Sequence, residues 1–142
     1  MDTPHVARAS ASIRAPAARV WEALVTPEIV KRYMFGATVV SSFEEGGSIT
    51  WKGEWQGKAY EDKGTILRVE PQTLLRYTHY SPLSGLPDAP ESYHTVTVAL
   101  SQRAGQTHVT LTQDNNPTEQ AREHSERNWK AMLDGLKKVL EA

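Results

Sequence analysis

The chain has 142 residues, 39% hydrophobic and 23% charged, with a formal net charge of −1 and no cysteine. One folded domain over residues 1–142 suits that length, and the near-neutral balance sets up no global field toward nucleic acid or an anionic membrane. The lack of thiols excludes disulfides, thiolate zinc sites and a cysteine nucleophile. "MDTPHVARASASIRAP" carries an early acid and no apolar h-region, and no apolar run approaches the ~20 residues that span a bilayer, so a cytoplasmic location is expected.

In chain order, "HVARASASIRA" alternates with period two: Ala7, Ala9, Ala11 and Ile13 share one face of a half-buried strand. These inward residues are small, which predicts room beneath them. Pro16 opens a helical stretch with Val20, Trp21, Leu24 and Val25 at helical spacing. "TPEIVKRYMF" restarts a helix, with Thr26 as N-cap, Pro27 at the first position and Glu28 in the positive first turn.

Period two returns at Thr38. After "ATVVSSF" and the Gly46-Gly47 turn, "SITWKGEW" places Ile49, Trp51 and Gly53 on one face. Gln56-Gly57 turns the chain into the long strand "KAYEDKGTILRVE", which stops at Glu70-Pro71. "TLLRYTHY" follows, with Leu75, Tyr77 and His79 on one parity. "SPLSGLPDAPES" holds three prolines and one glycine and reads as a loop. "YHTVTVALS" and "THVTLTQD" are two further strands, joined by a hairpin turn at 103–106.

The final segment is helical: Asn116 as cap, Pro117 at the first position and Glu119 at the third. Trp129, Leu133, Leu136 and Leu140 form one stripe flanked by Met132 and Val139. Glu123 with Arg127 and Glu126 with Lys130 are spaced as i,i+4 ion pairs. The order β-α-α-β-β-β-β-β-β-α leaves a twisted antiparallel sheet with one apolar face and one helix long enough, at about 35 Å, to cover it. The space between them is filled by large side chains or by a ligand, and Trp51 and Trp129 are placed to meet across it.

Several segments, in order, resemble a known family: "IRAPAARVWEALVTPEIVKRYM", "FEEGGSITWKG", "GTILRVEPQTLLRYTHYSPLSG", "YHTVTVALSQ", "THVTLTQDN" and "NWKAMLDGLKKVLE". The family is that of activator-of-heat-shock-protein-90-ATPase-like proteins, within the START or birch-pollen-allergen-like superfamily, and the match runs from Val6 to Glu141. The resemblance implies an α+β helix-grip fold: a curved antiparallel sheet around a long C-terminal helix, with two short helices between the first and second strands. It also implies an internal cavity that holds a small apolar, aromatic or lipid-like ligand. Two other functions are implied as alternatives: a cyclase- or aromatase-like enzyme acting on a bound carbonyl compound, and a module that contacts a chaperone.

The candidate ligand-binding residues are Trp21, Tyr33, Phe35, Trp51, Tyr77, His79, Trp129 and Leu133. Trp21, on its amphipathic helix, reads as core before cavity. Trp55, beside a turn, reads as rim or exposed surface. Tyr77 and His79 have inward parity, where a satisfied hydroxyl and imidazole are the ordinary outcome. Glu54, Glu61, Asp62 and Glu70 lie in strands, and charged strand residues mark the solvated face. An inward one would be a candidate base, and His79, Tyr77 and Glu54 are the candidates for an enzyme. No histidine pair has metal-ligand spacing, no glycine motif cradles a nucleotide, and no catalytic residue, metal or cofactor is assigned. The expected partner is the small ligand, with no nucleic acid and no membrane, and the expected state is a monomer or weak dimer.

Overall fold

The computed structural model of the protein describes residues 5–34, 36–82 and 85–141, and the backbone alone at Trp55. The elements are β1 (Ala7–Ile13), α1 (Ala17–Val25), α2 (Pro27–Tyr33), β2 (Thr38–Ser41), β3 (Ser48–Trp55), β4 (Lys58–Glu70), β5 (Leu74–His79), β6 (His94–Arg103), β7 (Gln106–Gln113) and α3 (Glu119–Glu141). The seven strands form one antiparallel sheet in the order β1-β7-β6-β5-β4-β3-β2. The pair α1–α2 carries the chain from one edge of the sheet to the other. This is the helix-grip arrangement.

Two tight hairpins set the register. Gln56 and Gly57 both have positive φ (52° and 78°), as do Ala104 and Gly105 (51° and 80°). That backbone twist matches the twist of the strands it joins. The first hairpin pairs Trp55 with Lys58, so Trp51 stands opposite Asp62.

The long strand β4 works in two halves. Its first half pairs with β3, its second with β5, and the register shifts between Ile66 and Arg68. At this corner the Thr78 carbonyl lies 1.7 Å from where a Cβ on Gly64 would sit. Only glycine allows that approach, and a bulge bends its strand. The β3–β4 hairpin therefore leaves the line of the sheet.

The helix α3 lies against the free edge of β1 through its side chains. Glu126 Oε2 accepts from Arg8 N–H (3.0 Å), and Glu141 Oε2 accepts from Arg14 N–H (2.8 Å). Lys130 Nζ donates to the Ser10 carbonyl (3.1 Å), and Lys137 Nζ donates to that of Ser12 (2.8 Å). An open strand edge is a template for foreign strands, and these four side chains occupy this one.

Three expectations are corrected. The alanine row does not leave room, because Ala7, Ala9 and Ala11 are buried and let α3 close onto β1. The cap of α3 is Thr118, whose Oγ1 accepts from Ala121 N–H at 3.0 Å, whereas Asn116 is drawn into a buried network. The spaced ion pairs on α3 are not the ones formed. Arg122 takes Glu119 and Glu126, and Lys130 takes Asp134, because Glu126 turns toward Arg8.

The core packs Val20, Leu24, Ile49, Ile66, Val96, Val98, Val109 and Leu111 against Leu133, Leu136 and Leu140. Burial of this kind is the dominant favourable term in folding.

Candidate functional site

Between the sheet and the N-terminal half of α3 the fold leaves a cavity of about 290 Å³, partly open to solvent. Trp51 of β3, Tyr60 and Asp62 of β4, Tyr77 and His79 of β5, His94 at the start of β6 and Gln113 at the end of β7 line the sheet side. Ser125, Asn128, Trp129 and Met132 line the α3 side, with Met34 and Ala37 beside the short helices. The spacing of 125, 128, 129 and 132 is one helical face, and period two aligns the strand residues. A void of about 40 Å³ adjoins it, lined by Tyr33, Leu24 and Phe43, with Trp51, Tyr77, Met34 and Met132 common to both. The two methionines are unbranched thioethers, the side chains best able to adjust the partition between those spaces.

The rings form a connected wall. Trp51 lies 5.2 Å from Tyr77 at 48° and 5.0 Å from His79 at 65°, and His79 stacks 6.3 Å from His94. Tilted and edge-on contacts of this kind add to area burial. On the opposite side Trp129 is held by its indole N–H, which donates to Gln113 Oε1. Gln113 in turn donates to Asn116 Oδ1 (3.3 Å), which also accepts from the Ser125 hydroxyl (3.0 Å). Asn116 donates to the His5 carbonyl (2.8 Å), tying the network to the start of β1.

Two imidazoles are oriented by their partners. His79 Nε2 donates to Asp62 Oδ2 at 2.9 Å, and His94 Nδ1 donates to the Asp114 carbonyl at 2.8 Å. A carbonyl only accepts, so the His94 proton sits on Nδ1 and the neutral ring keeps its lone pair on Nε2. The other oxygen of Asp62, Oδ1, is buried and accepts no hydrogen bond among the described residues. Burial raises the Tyr77 hydroxyl well above the ordinary tyrosine range. Burial, and then the charge of Asp62, raises Tyr60 as well. Both phenols remain protonated at neutral pH.

A second depression, about 950 Å³ and open to solvent, runs along the outside of α3 and β1 past Arg8, Glu126, Lys130 and Asp134. Of its charged groups, Glu126 takes Arg122 and the Arg8 backbone N–H, and Lys130 takes Asp134. Among the described residues no group of three histidines or acids is placed to hold a metal, and no helix is long and apolar enough to cross a membrane.

Residues 14–141 match the family described as activator of Hsp90 ATPase homolog 1-like protein. The chain belongs to this family. The solution structure of ChR145 from Cytophaga hutchinsonii is similar over nearly the whole length: 57% identity, 99% of this chain and 97% of that one, TM-score 0.86. The crystal structure of MLL2253 from Mesorhizobium loti has a TM-score of 0.77 at 20% identity, covering 96% of each chain. The solution structure of the Aha1 dimer from Colwellia psychrerythraea has a TM-score of 0.74 at 20% identity, again over 96% of each. At those lower identities the likeness is one of fold. No curated protein matches this chain.

In this Hsp90-ATPase-activator-like chain the structure brings four of the eight candidate residues to the cavity: Trp51, Tyr77, His79 and Trp129. Tyr33 lines the adjoining small void and gives its hydroxyl to the Ala23 carbonyl at 2.8 Å. Leu133 is fully buried core, and Trp21 is half-buried, packed against that core away from the cavity. Phe35 lies outside the described residues, as does the Trp55 side chain.

Sequence reasoning missed Asp62, His94, Gln113 and Asn128. For Asp62 a signal was present: a two-residue turn at Gln56-Gly57 places it opposite Trp51, hence on the same face. Its negative charge argued the other way, and the register overrides it. His94 and Gln113 carried a signal too: His94 has the parity of Val96 and Val98, and Gln113 that of Val109 and Leu111, on the buried face.

Proposed function

We propose that this protein binds a small aromatic or similarly flat apolar molecule in the cavity between its sheet and α3. The observation that carries this reading is the lining of a partly open cavity of about 290 Å³ by Trp51, Tyr77 and Trp129 together with Tyr60. Aromatic walls with a few convergent polar groups are the usual make-up of small-molecule sites. The volume lies at the low end of such sites, roughly 300–1,000 Å³, which favours a one- or two-ring compound over a sterol or a long acyl chain.

Native mass spectrometry after incubation with cell metabolites tests the reading, a discrete mass increment lost on denaturation being expected. Trp129→Ala should then weaken binding about tenfold. Trp21→Ala, remote from the cavity, should lower stability and leave affinity alone. Equal affinity loss in both variants would refute the site.

A second reading, proton transfer on a bound carbonyl compound, is favoured by the Asp62–His79 pair, since an imidazole oriented by a carboxylate is the arrangement a general base requires. Exchange of the α-protons of an aryl methyl ketone into heavy water, followed by proton NMR, tests it. Exchange at the buffer rate, or unchanged in His79→Gln, rules it out.

A further inference from the structure

The carboxylate of Asp62 is only half used. Its Oδ2 takes the His79 proton at 2.9 Å, while Oδ1 is buried and accepts nothing among the described residues. A buried carboxylate oxygen that has lost its hydration and gained no donor is unfavourable, and persists where something outside the protein supplies the donor.

Three donors of the lining are already committed. Trp129 N–H goes to Gln113, His79 Nε2 to Asp62 Oδ2, and His94 Nδ1 to the Asp114 carbonyl. The Tyr60 hydroxyl lies over Gly53, 2.6 Å from where a Cβ there would be. The Tyr60 and Tyr77 hydroxyls also line the cavity, and neither reaches Asp62 Oδ1. A donor carried by whatever enters would complete it.

We infer that Asp62 Oδ1 is the recognition point for an O–H or N–H donor on the bound aromatic molecule, so that the cavity selects phenols and N–H heterocycles over their O- or N-methylated counterparts. The inference rests on the ligand-binding reading above and deepens it. The ring is held by Trp51, Tyr77 and Trp129, and the donor points to Asp62. His79 holds the carboxylate in place through Oδ2, and Asp62 is part of the cavity lining. Carboxylic acids of the same shape are disfavoured, since their anions would face Asp62.

Two matched pairs of probes test this on the intact protein by heteronuclear NMR titration: 2-naphthol against 2-methoxynaphthalene, and indole against 1-methylindole. The donor-bearing member of each pair should bind ten-fold or more tighter, because a hydrogen bond to a charged acceptor is among the stronger ones. The Trp51 and Trp129 indole signals should move with either member. Asp62→Ala should remove the difference within each pair, and Asp62→Asn, which keeps the shape, should narrow it.

Equal affinities within both pairs in the unaltered protein, with cavity signals shifting, would overturn the inference and leave the ligand-binding reading standing. A difference that survives in both Asp62 variants is steric and would overturn it too. No cavity shift with any of the four probes would take down both. The comparison in the unaltered protein holds even if a variant fails to fold.

Discussion

From Glu126 to Glu141 one side of α3 lies along β1, and toward its C-terminal end Leu133, Leu136 and Leu140 pack in one core with Val109 and Leu111. Along its N-terminal half the same helix faces β3, β4 and β5 across about 290 Å³, with Ser125, Asn128 and Trp129 at the boundary. One apolar stripe thus meets one sheet in two ways. The difference comes from the sheet. Alanines on β1 let the backbones approach, while the corner at Gly64 carries the β3–β4 hairpin off that line. A hollow in this fold is made by bending the sheet, and small residues close the gap instead of opening it.

The sharpest way to break this comparison is at Leu133, which is fully buried in the filled half. Leu133→Ala should cost about 2–5 kcal/mol, read as the shift in urea midpoint at constant slope. A loss below about 1 kcal/mol would mean that this half is not close-packed.

Adding volume should separate the halves next. Ala11→Leu, beneath α3, should destabilise by about 1–3 kcal/mol through overpacking. Ala37→Leu, at the wall of the cavity, should cost under about 1 kcal/mol, since it grows into free space, and should abolish ligand binding. Thermal unfolding with a binding assay reads both, and equal stability losses would erase the distinction.

The smallest effect expected is electrostatic and belongs to the filled end. The Lys137 ammonium, followed by the Arg14 backbone N–H, holds the Glu141 carboxyl at about 2 instead of the ordinary 4.5. A lowered carboxyl pKa stabilises the fold fully above the unfolded value, and that contribution is lost as pH falls through the folded one. Stability should therefore decline between about pH 4.5 and 2. Glu141→Gln should flatten that limb, measured as urea midpoint against pH. An unchanged slope would show that Glu141 does not anchor the end of α3 to β1.

How much of this was legible beforehand varies from residue to residue. The strand faces of Ala7–Ile13, of Ile49 and Trp51, and of Leu75, Tyr77 and His79 follow from period two alone. The hairpins at Gln56-Gly57 and at Ala104-Gly105 follow from turn chemistry. The stripe of Trp129, Leu133, Leu136 and Leu140 follows from helical spacing. Their order in the chain also suffices for the helix-grip fold and, with the family's segments, for membership. These features are local, and local periodicity is the signal a sequence carries most directly.

The site is another matter. Asp62 looked solvated by its charge and became a cavity residue through cross-strand register. Asn116 looked like a helix cap and became the bracket that fixes Gln113, and through it Trp129. Trp21, Leu133 and Trp129 look alike in a hydrophobic pattern, yet they are a core flank, a core centre and a cavity wall. By itself the sequence determined the elements, their faces and the fold they compose. The tertiary structure alone decided where the space between helix and sheet stays open and which polar atoms face it. Those outcomes depend on the bend at Gly64 and on contacts between residues as much as 111 positions apart, such as Asn116 with His5, which no local pattern encodes.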